Sequence, residues 1–422
     1  MSKPRTGRQP RPRVERVRES STATTLELFF DLVFVFALTQ VTALMAEDTG
    51  DGGQPGAGAL LRGTLILSVV WWCWVCYSWL SNLVKADEGL ARTAMLGAMA
   101  AMFGIAIAIP ESFDDIPGGL DGPVVFAFCY LLVRAVHLVL FWIAADGDAG
   151  LRAQLIRFAP TMVAGTVLLL VAAQTSGTAQ LLLWVAAVVA DYGGTLVIGA
   201  RGWRLNSASH FVERHGLIVI IALGESIVAI GVGVNHLPIS WPIIGGAVLG
   251  LTIAACLWWA YFDTHVMVAE RALAAVSGHE RARMARAAFT YLHLPIVVGV
   301  VMLALGLKKA LGYLGGADGH SPADHLHGAP LWALFGGAAL YLLAQAAVSW
   351  RCNRMFKLHR LAAAALLVGL TPLMGLVPVL VALAVLTAVL VVLIAFEWVH
   401  YRAVREEARH APHAGHGGAH QG

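Results

Sequence analysis

Charge is scarce in this chain. Asp, Glu, Lys and Arg supply 13% of its 422 residues, against 58% that are apolar, and mean hydropathy is +0.71. A water-soluble protein of this length needs far more polar surface to cover its exterior, so a soluble globular fold is excluded. The alternation of polar and apolar residues that marks a membrane β-barrel is also missing. The five cysteines (Cys73, Cys76, Cys129, Cys256 and Cys352) lie in or beside apolar segments, so no disulfide framework is expected. No P-loop, GxSxG, HExxH or dinucleotide fingerprint occurs, and no enzyme activity is expected. Cys73-x-x-Cys76 has no second ligand pair, so neither a metal nor a cofactor is expected. The basic, Pro-rich start MSKPRTGRQPRPRVERVRES could pass for the n-region of a signal peptide. The apolar segment behind it is long, carries two carboxylates and has no small-residue cleavage site, so it reads as a retained first span.

What the chain has is apolar length. Its runs of roughly 20 residues match a hydrocarbon core of ~30 Å. Spans are expected near 24–46, 60–83, 92–110, 123–145, 154–173, 178–200, 212–234, 241–265, 287–307, 330–350, 357–375 and 377–401. The break between the last two, at Pro372–Pro378, is the weakest. The fold class is therefore all-α, a polytopic membrane helical bundle of about twelve transmembrane helices.

Loop charge sets the expected orientation. With the N-terminus in the cytoplasm, only Arg62, Lys308 and Lys309 fall outside and Arg134 lies within a span; the rest of the 29 Lys and Arg face the cytoplasm. The outer loops AEDTGDGG and ESFDDIPGGLDG are acidic instead. Both termini are thus expected in the cytoplasm.

Weak matches recur in order along the two halves. Phe36-Ala-Leu-Thr-Gln-Val41 resembles Ile221-Ala-Leu-Gly-Glu-Ser-Ile227, and Trp71-Trp72-Cys-Trp74 resembles Trp258-Trp259-Ala-Tyr261. Tyr130-Leu-Leu-Val-Arg-Ala135 matches Tyr341-Leu-Leu-Ala-Gln-Ala346, and Asp191-Tyr192 matches Glu397-Trp398. Six spans per half is an even number, which predicts two parallel six-helix repeats. The expected organisation is a disordered basic arm over 1–22, a first half over 23–205, a second over 206–404 and a His-rich disordered tail over 405–422. His410, His413, His416 and His420 stand in that tail, where weak metal chelation is the alternative to a plain tail.

Ionisable residues inside a span are costly and face the bundle interior. Glu27 and Asp31 are four apart, on one face of span 1, with Asp31 ~10 Å from the cytoplasmic end. Glu213, Arg214 and His215 are expected at the cytoplasmic entrance of span 7, and Glu225 ~20 Å along it among glycines. Arg134 and His137 share a face of span 4, and Asp191 is well inside span 6. Arg134 has two readings: a structural ion-pair partner for Asp31, Asp191 or Glu225, or one wall of a path that also includes them. For Glu27, Asp263 and Glu397, near the surface, snorkelling or capping is expected. His293 reads as a satisfied core histidine, with a proton relay as the alternative. The stretch Trp71–Trp79 reads as packing, with an aromatic binding surface as the alternative.

ELFFDLVFVFALTQV near the start and ERHGLIVIIALGESIVAIG at mid-chain resemble the two signatures of the bacterial low temperature requirement A family. WWCWVCYSW, LWWAYFD and YLLVRAVHL extend the resemblance over nearly all of the chain except the tails. The resemblance implies a multi-spanning inner-membrane protein and carries over no catalytic residues. Phe30-Asp31-Leu-Val-Phe-Val-Phe-Ala-Leu-Thr39 is also similar, over one helix and without its Ser, to the Phe-Ser-Asp signature of a family of lysosomal and bacterial potassium channels.

The expected function is a secondary transporter or permease of unidentified substrate, with Asp31, Arg134, Asp191, Glu225, His137 and Glu27 as pathway candidates. An ion channel and a membrane-embedded enzyme or sensor are the alternatives. The expected partners are the lipid bilayer and a small solute or ion, not nucleic acid.

Overall fold

A computed structural model describes residues 22–47 and 56–402. Most of the basic arm and all four histidines of the tail fall outside these residues, and with them the readings made there. Among the described residues the secondary structure is helical throughout. The helices are α1 (Thr25–Glu47), α2 (Ala57–Ser81), α3 (Gly89–Ala108), α4 (Gly122–Ala144), α5 (Ala149–Ala172), α6 (Gly177–Ile198) and α7 (Ala208–Gly233). They continue as α8 (Trp241–Phe262), α9 (His265–Ala274), α10 (Gly278–Ala285), α11 (His293–Gly315), α12 (Gly328–Asn353), α13 (Leu358–Met374) and α14 (Val379–His400). Eleven helical segments are long and apolar enough to cross a membrane, and α13, at 17 residues, is a shorter apolar twelfth.

Local sequence explains where these helices start. Asp121 accepts from the Val124 amide at 2.9 Å to cap α4, and Asp148 accepts from Leu151 at 3.0 Å to cap α5. Ser207 caps α7 through His210. Thr24 and Glu27 cap α1: the Glu27 carboxylate accepts from the Thr24 amide at 2.8 Å, and the Glu27 amide donates to the Thr24 hydroxyl. The break around Pro378 holds, with α13 ending at Met374 and α14 starting at Val379. Between α8 and α11 the chain departs from expectation. A short helical hairpin, α9 and α10, continues into a π-helical turn over 286–291 before α11 begins.

α2, α11 and α12 run through the middle of the bundle, and α6 is the least buried of the spanning helices. Lipid offers little hydrophobic drive for helix association, so close backbone approach matters instead. α11 and α12 show it: a Cβ at Gly299 would lie 2.7 Å from the Gly337 carbonyl oxygen, and one at Gly337 2.6 Å from that of Gly299. α1 and α7 lie side by side and run parallel, since Ala23 meets Glu213, Asp31 meets Arg214 and Thr39 meets Glu225.

Candidate functional site

The seam between α1 and α7 carries polar groups at two depths. At the first, Arg214 donates two 2.9 Å hydrogen bonds to the two carboxylate oxygens of Asp31, and Trp74 of α2 donates to Asp31 Oδ1 at 2.8 Å. Arg214 also lies 3.6 Å from Glu27 Oε1 and 5.5 Å from the Trp74 ring centroid. His210 Nε2 is 3.0 Å from Glu27 Oε1. Its tautomer follows from its neighbours. Asn82 Oδ1 accepts from the amides of Asn206 and Ser207, so Asn82 Nδ2 faces His210 Nδ1 as donor and Nε2 carries the hydrogen that Glu27 accepts. Glu27, Asp31, His210 and Arg214 are all at most 1% exposed.

At the second depth stands Glu225, 2% exposed, whose Oε2 accepts from the Thr39 hydroxyl at 2.7 Å, with Thr42 also close. Lys308 of α11 acts on it by charge, but among the described residues no cation is within ion-pair distance. Ser226 beside it is buried with an unpaired hydroxyl. Beyond His215, which adjoins the first depth, the buried residues between the two depths are apolar: Phe34, Ala37 and Leu38 on α1, and Ile218, Val219, Ala222 and Leu223 on α7.

The other acids are paired elsewhere. Arg134 meets Asp191 at 3.2 Å and the Cys76 sulfur at 2.6 Å, while the Tyr130 hydroxyl also donates to Asp191. Glu397 takes Arg360 Nε at 2.6 Å and Nη2 at 2.8 Å, with His359 at 2.6 Å. Arg360 also reaches the Gln345 amide oxygen and the Ala260 carbonyl. Nearby Lys357, just before α13, is buried; burial first, and then repulsion from Arg360, push its ammonium down to about 7.

Of the three acids open to Arg134, the structure selects Asp191. Asp31 belongs instead to Arg214. Arg214 and His215 are fully buried and not at an open entrance, because α7 begins at Ala208, four residues earlier than its apolar run suggests. Glu213 alone of the three is exposed, accepting from the Ala23 amide at 3.0 Å. His215 sits in an aromatic box, 5.0 Å from Trp74 and 5.2 Å from His293 between ring centroids. His137 is buried beside Arg134, as their shared face requires, and neither ring nitrogen makes a hydrogen bond of ordinary geometry, though the Cys76 backbone is close. Glu27 does cap α1, but Glu397 is neither snorkelling nor capping: it is the buried partner of Arg360.

His293 is satisfied on both sides, by Ala288 O and by the Tyr261 hydroxyl, each at 2.8 Å. The Trp-rich stretch is an interior contact: Trp71 and Trp79 donate to Thr290 of the π turn, each at 2.9 Å. A π turn offsets the backbone ladder and frees carbonyls for such donors. Among the described residues no three of His, Cys, Asp and Glu are grouped to hold a metal ion.

His210, Arg360 and His359 did not stand out in the sequence. His210 sits in a polar stretch before the span over 212–234, and His359 and Arg360 sit at the charged start of the span over 357–375, where such groups read as facing the cytoplasm. Glu397 held the one available signal, an acid inside an apolar run, but its place near the cytoplasmic end of that run reads equally well as snorkelling.

A family model described as "Bacterial low temperature requirement A protein (LtrA)" matches residues 22–395. The chain belongs to this family. The matched residues include both depths of the α1–α7 seam, the Arg134–Asp191 pair and Arg360, while Glu397 lies just beyond them. An uncharacterized protein of Rhizobium meliloti (strain 1021) is 29% identical over 303 residues, covering 68% of this chain and 69% of the relative. No solved structure matches.

Proposed function

We propose that this member of the family is a secondary transporter or permease of the bacterial inner membrane. It moves a small solute or ion between two six-helix repeats, with both termini in the cytoplasm. The observation that supports this most is the division among the buried acids. Asp31, Asp191 and Glu397 are each bonded to an arginine, whereas Glu225 has hydroxyl partners and, among the described residues, no cation in contact. An acid of the first kind cannot take up a proton without abandoning a buried guanidinium. One of the second kind can, and it lies on the seam between the first helices of the two halves.

The helix packing supports the repeat. α1 packs on α2 and α3 as α7 packs on α8 and α11, and α3 meets α4 as α11 meets α12. The arginine differs between the halves. Arg134 of α4 reaches Asp191 of α6, while Gln345 takes its aligned place in α12 and Arg360 of α13 reaches Glu397. The apolar stretch between the two depths weighs against a standing channel and suits a path that opens to one side at a time.

The test is solute flux in proteoliposomes with Glu225→Gln. Loss of proton-coupled uptake, with solute exchange retained, is expected. Unchanged proton coupling would remove the proposed role.

A further inference from the structure

A small cavity lies away from the α1–α7 seam, where α2, α4, α5 and α6 meet the π turn. Its volume is about 30 Å³, room for roughly two waters or one halide-sized ion. Its walls are largely aromatic, with Trp72, Trp79, Phe158 and Trp203 among them. Arg286 of the π turn and His137 of α4 also line it, and no carboxylate among the described residues does.

The charge balance there is uneven. Arg134 lies behind Cys76, and its charge is met by Asp191. Arg286 is half-buried and donates to the Thr195 carbonyl at 2.8 Å, with no carboxylate among the described residues in ion-pair contact. A guanidinium taken out of water without a counter-charge is costly. His137, 1% exposed, has ring nitrogens without an ordinary hydrogen bond. One cation, one unsatisfied donor group and aromatic walls suit an anion that gives up its water readily.

We propose that this cavity binds one halide-sized monovalent anion between Arg286 and His137, tying the first-half helices to the π turn. The site stands on this geometry alone and does not depend on transport through the seam.

The probe is iodide, which quenches indole fluorescence by contact, added to the full-length protein in detergent at constant ionic strength set with gluconate. A saturable quenching component, competed by chloride and bromide, is expected. Arg286→Gln should raise the half-saturating concentration at least about tenfold, the loss of one charge-assisted hydrogen bond, while Arg286→Lys keeps saturation. Strictly linear quenching, alike in the wild type and Arg286→Gln, would mean that the cavity holds water only and would overturn the proposal. Should Arg286→Gln fail to fold, anomalous scattering from wild-type crystals soaked in bromide decides. A peak between Arg286 and His137 supports the site, and its absence refutes it.

Discussion

At the scale of single residues, the buried acids divide into bound and unbound, and substitution should separate them. Asp31→Ala leaves Arg214 buried without its bidentate partner and is expected to cost about 3–5 kcal/mol in thermal or denaturant unfolding in detergent. Glu225→Gln keeps an acceptor for Thr39 and should cost less than about 1 kcal/mol in the same measurement. Equal losses in the two variants would contradict the division. Lys357 supplies a pH dependence. Its folded-state value, about 7, lies below the ordinary lysine value, so between the two the unfolded chain binds more protons and stability rises with pH. The unfolding midpoint of the wild type relative to Lys357→Met should therefore climb from pH 7 toward pH 10, and a flat difference would show that burial does not depress the Lys357 ammonium. The acids themselves were legible in the sequence, because any carboxylate inside an apolar run stands out. Their partners were legible only in part. Arg214 looked like one of three surface charges at the mouth of span 7, and nothing local shows that α1 carries Asp31 to it across 183 positions.

At the scale of helices, spacing is decided by backbone contact. Gly299 and Gly337 let α11 and α12 touch through their main chains, and neither neighbour is a flexible side chain that can move aside. Gly299→Val should force the pair apart and cost about 1–3 kcal/mol by overpacking, read from the same unfolding experiment. Gly336, next along, has open space around it, so Gly336→Ala should be nearly neutral. The twelve spans follow from apolar runs bounded by charge and by the Pro372–Pro378 break, and the helices follow those runs. The hairpin α9–α10 and the π turn did not. Most of their sequence, HVMVAERALAAVSGHERARMARAAFTY, is polar enough to read as a loop, its last residues read as the start of the span over 287–307, and a π turn has no periodicity signature of its own. Its role becomes visible only when Thr290 is seen to receive both Trp71 and Trp79.

At the scale of the molecule, the proposed transporter has two polar stations on one interhelical seam, closed off from each other by apolar side chains. On that proposal the three buried arginine–carboxylate pairs among the described residues, Arg214–Asp31, Arg134–Asp191 and Arg360–Glu397, hold the helices, and Glu225 is left to exchange a proton. This is tested most directly by recording internal pH in proteoliposomes challenged with pools of cationic, anionic and neutral metabolites. The wild type should show solute-evoked proton movement, Glu225→Gln should abolish it while exchange of labelled solute persists, and Ser226→Ala should leave it in place. Wild-type proton movement in Glu225→Gln, or none evoked by any pool in the wild type, would contradict the account.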